Sequence, residues 1–317
     1  AEEDNKISLD SSLMEMLPSF KDSNKDTLTV KEILSHFGRL KSWIPFYKKT
    51  QDSITGNNLK QFYRSKKTPI FNVKVAEHMY LNKHYKDSIY KYIKNADQRE
   101  LLEYKYSDLG YYILKEILET KYQKSLSTLV NEEFYQYLGV NRTTYLPLLK
   151  FDKKEIIPTE KDSYYRNQLL HGHVHDMGAA MLGGVAGHAG LFANANDVAK
   201  IMQMYLQKGY YGGKRYLKSK TIDTFNTRYF SDQKVRRGIG FDKPQLNSEV
   251  KATCGCVSEQ SFGHSGFTGT FTWADPLSGI IYVFLSNRVY PSMDNNELIE
   301  TNMRTEIQQI IQDAILH

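Results

Sequence analysis

The sequence predicts an α+β fold, and three stretches predict it. An amphipathic helix runs from Asp108 to about Lys121, with Leu109, Tyr112, Ile113, Leu114, Ile117 and Leu118 on its apolar face. A strand hairpin follows Ser261. Thr270 to Ala274 alternates, Asp275-Pro276-Leu277-Ser278-Gly279 carries turn residues, and Ile280 to Leu285 reads as a buried strand. The chain closes on a second amphipathic helix, capped by Asp294, with Leu298, Ile299, Met303, Ile307, Ile310, Ile311 and Ala314 in one stripe. A hairpin followed by such a helix predicts that the helix lies across the sheet, since each needs cover for its apolar face.

The remaining elements follow in order. Residues 8–40 read as helix, loop, helix: Leu9, Leu13, Met16 and Leu17 have helical spacing before Pro18, and Thr27 leads into Val30, Ile33 and Leu34. Residues 41–100 are rich in Lys and Tyr and read as short helical stretches, and residues 141–195 as irregular chain. The run Gly183 to Gly190 lacks the Lys-Ser/Thr ending of a phosphate loop and reads as a tight turn at a site rim. Asn196 to Lys208 is a helix stopped by Gly209. Residues 245–317 hold the hairpin and closing helix.

Composition narrows the function classes. Hydrophobic and charged contents of 40% and 25% are those of an ordinary globular protein. No apolar run reaches membrane-spanning length. Arg39 to Lys74 holds nine Lys or Arg against Asp52 alone, interleaved with Trp43, Phe46, Tyr47, Phe62, Tyr63 and Phe71. With no nucleic-acid motif beside it, that segment reads as a lid or docking surface, and no nucleic-acid partner is expected. Cys254 and Cys256, at i and i+2, read as two free or buried thiols. His171, His173 and His175, followed by Asp176, would put three imidazoles on one strand face. No metal or cofactor is nevertheless expected.

Several short motifs occur together in a telling order. Leu34-Ser35-His36-Phe37-Gly38-Arg39-Leu40 comes first, with Arg39 where glycine is usual. Tyr106-Ser107-Asp108 opens the central helix. Val174-His175-Asp176, Gly187-His188-Ala189-Gly190-Leu191-Phe192, Arg237-Gly238-Ile239-Gly240-Phe241-Asp242-Lys243-Pro244 and Gly263-His264-Ser265-Gly266 follow. In these motifs the chain resembles the serine β-lactamase-related and penicillin-binding family, on its class C β-lactamase and esterase branch. Within it, the closest resemblance is to the C-terminal domain of Bacteroidetes proteins in which a family 3 β-N-acetylglucosaminidase-like domain precedes a β-lactamase-like one.

The resemblance implies one β-lactamase-like domain over residues 1–317, an antiparallel sheet flanked by helices plus a mostly helical lobe, with the site between them. It implies acyl transfer on an amide or ester, with a small molecule or peptidoglycan fragment as substrate. Tyr106 would act as base or proton relay, or else pack the helix start. Asp108 would orient its neighbours, or simply cap the helix. His264 would bind a carboxylate or steer protons, or else be a hydrogen-bonded strand histidine. The backbone N–H of Phe267 would donate to an oxyanion, and Ser107, Ser265 and Gly266 would contact substrate.

The family's Ser-x-x-Lys nucleophile has no convincing copy. Ser88-Ile89-Tyr90-Lys91 lies in a polar segment, and Ser231-Asp232-Gln233-Lys234 and Ser248-Glu249-Val250-Lys251 come after Tyr106. The chain is therefore expected to begin just after the nucleophile and to be inactive alone. A glycosidase-like domain of the same polypeptide would precede it. The truncated sheet would be covered by the closing helix, by upstream protein or in a homo-oligomer. The competing expectation is a non-catalytic module binding cell-wall fragments. Family resemblance places the protein in the periplasm or at the cell surface.

Overall fold

The computed structural model describes residues 1–246 and 252–316. Its sheet is a three-stranded antiparallel meander of Phe262–Ser265, Phe271–Ala274 and Ile281–Phe284. Alternation along the strands sorts its residues onto two faces. Phe262 and Ala274 pack with Met202 of the Ala195–Leu206 helix. Phe271, Trp273 and Tyr282 pack with Ile307 and Ile311 of the closing helix, Met303–Leu316. Helices thus cover both faces of an antiparallel sheet, as the α+β reading requires. Among the described residues no helix is long and apolar enough to cross a membrane.

The closing helix lies where expected but is rotated. Ile310 is 68% exposed and Ala314 is exposed, whereas Gln308 and Gln312 are buried. Gln308 faces inward because its Oε1 accepts from the Thr253 hydroxyl at 2.5 Å and from the Cys254 N–H at 3.1 Å. A polar side chain with paired inward donors displaces a neighbouring isoleucine from the buried face. Asp294 does not cap this helix. Its carboxylate takes the Ser292 hydroxyl, and a separate turn, Glu297–Glu300, intervenes. Cys254 and Cys256 are bonded to each other rather than free, because their Cα atoms stand 5.5 Å apart, within the ordinary disulfide range.

The larger core lies in the other lobe. The Leu109–Tyr122 helix runs through it with Leu109, Tyr112, Ile113 and Ile117 fully buried. The helix Val30–Leu34 packs on it, started by Thr29, whose Oγ1 accepts from the Glu32 N–H while Glu32 answers the Thr29 N–H. Residues 41–100 depart from the expected short helices. They form an antiparallel sheet of Tyr63–Arg64, Met79–Asn82 and Phe71–Ala76, followed by an eleven-residue helix, Tyr85–Asn95. Phe71–Ala76 alternates as a strand should, with Phe71, Val73 and Val75 on one face and the exposed Asn72 and Lys74 on the other, a short pattern outweighed by the Lys-rich composition around it. Ser88 lies on the Tyr85–Asn95 helix, whose buried face is Tyr85, Ile89 and Ile93. Ser231 is exposed, and Ser248 to Lys251 lie outside the described residues.

The rotation of the closing helix gives a direct test. Gln308→Ala leaves the Thr253 hydroxyl and Cys254 N–H without their acceptor and should cost about 1–3 kcal/mol in urea unfolding. Ile310→Ala should change stability by less than about 0.5 kcal/mol.

Candidate active site

Two loops and one strand edge converge on Tyr106. The Leu34–Leu40 turn passes through the left-handed region twice, at His36 (φ 56°) and Arg39 (φ 56°). The turn expected to need glycine is thus made by arginine. Arg39 is tied down through its own carbonyl, which takes the Arg99 N–H at 2.8 Å, and its Nε, which donates to the Arg99 carbonyl at 2.6 Å. The turn buries His36, and its Nδ1 accepts the Ser107 N–H at 3.2 Å. That bond assigns the proton to Nε2. The His36 ring lies 4.4 Å from that of Tyr106 and 5.7 Å from that of Tyr111.

The sheet supplies the opposite wall. Its edge strand Phe262–Ser265 is joined to the 236–242 loop where Asp242 and Gly263 exchange backbone hydrogen bonds of 2.9 and 3.1 Å. Glycine is required there, since a Cβ at 263 would sit 2.4 Å from the Trp273 ring. This docking brings His264 beside Tyr106, with ring centroids 5.9 Å apart and edge to face. His264 donates its Nδ1–H to the Ser265 carbonyl at 2.7 Å, leaving Nε2 as an acceptor. Burial, reinforced by Arg237, lowers its pKa to about 4, so it is a neutral imidazole at pH 7. Burial and Arg237 likewise lower His36 to about 2.

Tyr106 itself is poised unfavourably for ionisation. Burial, then Tyr111 and Asp108, raise its phenol above the ordinary value, and Arg237 opposes them. Asp108 stands at the helix start but makes no side-chain cap. Its carboxyl instead faces Asp176 and His188. Carboxylate and imidazole atoms of the three lie within 4.8 Å of one another. Burial pushes Asp108 up to about 6, with Asp176 adding to the push and His188 opposing it. Asp176 Oδ1 takes the Ala179 N–H at 2.6 Å and meets His188 Nε2 at 3.0 Å. Burial works against both charges of that pair, yet their attraction holds Asp176 below and His188 above their ordinary ranges. The Gly183–Gly190 turn delivers His188. A Cβ at Gly187 would sit 2.7 Å from the Tyr111 carbonyl, so only glycine lets the turn lie this close to the central helix.

The other expected residues divide. Ser107 does not face the cleft: it is 2% exposed, and its hydroxyl donates to the Lys41 carbonyl at 2.7 Å and accepts from the Leu109 N–H. It is the residue that caps the helix, the part expected of Asp108. Ser265 is exposed beside His264, and the Gly266 N–H closes the turn on the Thr270 carbonyl at 2.7 Å. Phe267 projects its ring, 60% exposed, against His175 at 5.3 Å and the Arg288 guanidinium at 4.3 Å. Its backbone N–H pairs with no group among the described residues. The three histidines do not converge. His171 bonds the Ile156 carbonyl, His175 bonds Glu160, and burial lowers His173 to about 4.

Sequence reading gave no role to Arg237, Asp242, His36 or the Asp176–His188 pair. All five lie in motifs quoted above, so the signal was present, but their roles depend on tertiary partners.

The chain belongs to the Beta-lactamase family, whose profile matches residues 1–303. It is 34% identical over 236 residues to a protein of Escherichia coli (strain K12) provisionally named a D-alanyl-D-alanine carboxypeptidase, covering 67% of this chain and 54% of that protein. A protein of the same provisional name from Salmonella gallinarum (strain 287/91 / NCTC 13346) is 30% identical over 311 residues, 92% of this chain and 65% of its own length. The chain therefore spans between half and two thirds of these curated relatives. A penicillin-binding protein homolog from Caulobacter crescentus shares the fold, with a TM-score of 0.58 and 15% identity over 90% of this chain and 72% of that one.

Asp108 offers a test of the electrostatics. Its carboxyl is raised in the fold, so the stability it contributes is full below its unfolded value of 3.8 and is lost as pH rises through about 6. Asp108→Asn removes this loss. Its melting temperature should exceed the wild type's at pH 8, and the difference should close below pH 4. A gap that does not vary with pH would show that Asp108 does not titrate as described.

Proposed function

We propose that these residues form the acyl-transfer site of a serine hydrolase of the D-alanyl-D-alanine carboxypeptidase kind, acting on an amide or ester acyl group of a peptidoglycan peptide. The observation that carries the reading is the convergence of the second and third motifs, where Tyr106 from the helical lobe and His264 from the sheet edge meet edge to face with ring centroids 5.9 Å apart. Acyl transfer needs a proton acceptor beside the nucleophile and donors for the oxyanion. Tyr106 stands where the first need places it but must first lose its raised-pKa proton. The neutral His264 Nε2 offers a second acceptor, and the Phe267 N–H suits the second need. Ser265 and Gly266 border the path a substrate strand would follow, and Asp108 orients the Tyr106 side of the cleft.

The nucleophile is not among the residues gathered here. In this reading the Ser-x-x-Lys comes from elsewhere in a longer polypeptide, together with a glycosidase-like domain that handles the sugar of the same polymer, in the periplasm or at the cell surface. The missing serine also favours a second reading, a module that binds cell-wall fragments without cleaving them.

A fluorescent penicillin followed by intact-mass measurement tests the proposal. These 317 residues alone should take up no stoichiometric acyl group. An adduct at Ser88 would overturn the assignment of the nucleophile. The longer polypeptide should be acylated if it is an enzyme and should bind without adduct if it is a module. In the acylating form, Tyr106→Phe should lower turnover by about 10²- to 10⁴-fold with a much smaller effect on substrate binding. Unchanged turnover would reduce Tyr106 to a packing residue.

A further inference from the structure

We propose that Arg237 is a further positioning residue of this site, a buried, permanently charged guanidinium that holds the Tyr106 ring by its face and supplies the fixed positive charge beside Tyr106 and His264. The inference rests on the acyl-transfer reading for its purpose, but its geometry stands independently.

Arg237 is 4% exposed. Its guanidinium carbon lies 5.3 Å from the Tyr106 ring centroid, within cation–π range. Nε donates to the Tyr104 hydroxyl at 3.1 Å and lies 3.4 Å from Asp242 Oδ1. One arm, Nη1, is buried and has no partner among the described residues. Asp242 does not neutralise it fully, because the same carboxylate takes Arg236 in a forked pair, Nε at 2.6 Å and Nη2 at 3.0 Å. Two guanidiniums share one carboxylate, so a positive charge is left over at the Tyr106 side. An arginine with a spare donor is costly to bury, and a structural ion pair has no need of one.

The surplus charge adds to burial, the larger cause, in keeping the imidazoles neutral. His264 faces Arg237, Arg236, Asp242, Tyr106 and His36, and the cations outweigh the one carboxylate. The third-motif histidine therefore cannot be the cation of this pocket. Arg237 takes that part, and His264 is left as a neutral ring whose Nε2 can accept a hydrogen bond. Because arginine does not titrate in the working range, the positive charge is constant with pH.

The test uses the whole 317-residue chain with nitrogen-15 histidine, following the His264 ring by NMR and identifying its signal by its loss in His264→Gln. In Arg237→Met the His264 titration midpoint should rise by about one pH unit or more. In Arg237→Lys, which keeps the charge, it should stay close to the wild type. An unmoved midpoint in Arg237→Met overturns the proposal. So does an equal rise in both variants, since packing and not charge would then be responsible. Should Arg237→Met not fold, the guanidinium signals of Arg237 decide. They should be shifted by the Tyr106 ring and lose that shift in Tyr106→Leu, and signals that do not change overturn the proposal. Neither measurement needs an acylated protein, so failure of the acyl-transfer reading leaves this one standing or falling on its own.

Discussion

The site depends on one carboxylate. Asp242 holds Arg236 and Arg237 with its side chain and the sheet edge with its backbone, through the paired bonds to Gly263. One residue therefore both positions the cation beside Tyr106 and docks the strand that carries His264. Breaking such a buried pair from one side costs about 3–5 kcal/mol, because the partner charge is left unpaired. The loop is fixed at its other end as well, since the Gly240 N–H donates to the Leu34 carbonyl at 3.1 Å. The same loop thus bonds the turn that buries His36 and the strand that presents His264. The two walls of the cleft meet through it.

The parts legible in the sequence are those governed by local rules. The central helix, the hairpin after Ser261 and the helix stopped by Gly209 show their periodicity and punctuation directly. The meeting of Tyr106 and His264 was legible only through motif order. Misreadings arose where a tertiary partner overrode the local pattern. Ile310 fits the apolar stripe, but Thr253 and Cys254 draw Gln308 inward in its place. Asp108 fits an N-cap, but Ser107 serves the Leu109 N–H and Asp108 turns to His188. Arg39 stands where glycine is usual, yet its own hydrogen bonds to Arg99 hold the left-handed backbone. Arg237 and Asp242 were visible only as letters of a motif. Their surplus charge follows from how many guanidiniums share one carboxylate, and no linear pattern records that.

Tyr106 lies between two charged corners of opposite balance. On the sheet side, two arginines face one carboxylate. On the helix side, Asp108 and Asp176 share a single imidazole, His188, so above about pH 6 that corner is negative. The two corners act oppositely on the phenol: Arg237 favours its ionised form and Asp108 opposes it, while burial exceeds both. As these residues stand, Tyr106 holds its proton firmly. To act as a base it needs either stronger attraction for its negative charge or relief from Asp108.

A cation placed against Asp108 would provide that relief, by pairing with the carboxylate and adding its own attraction for the phenolate. The Ser-x-x-Lys motif brings a lysine together with its serine. In the acyl-transfer reading, a Ser-x-x-Lys lysine meeting Asp108 would balance the excess negative charge that His188 alone leaves at that corner. The binding-module reading gives no reason for that excess charge. A module selected only to hold a neutral fragment would gain from an amide at position 108, which costs less to bury than a carboxylate. The carboxyl at 108 is a liability unless a positive charge comes to meet it, and on this ground the catalytic reading explains more of the site than the binding one.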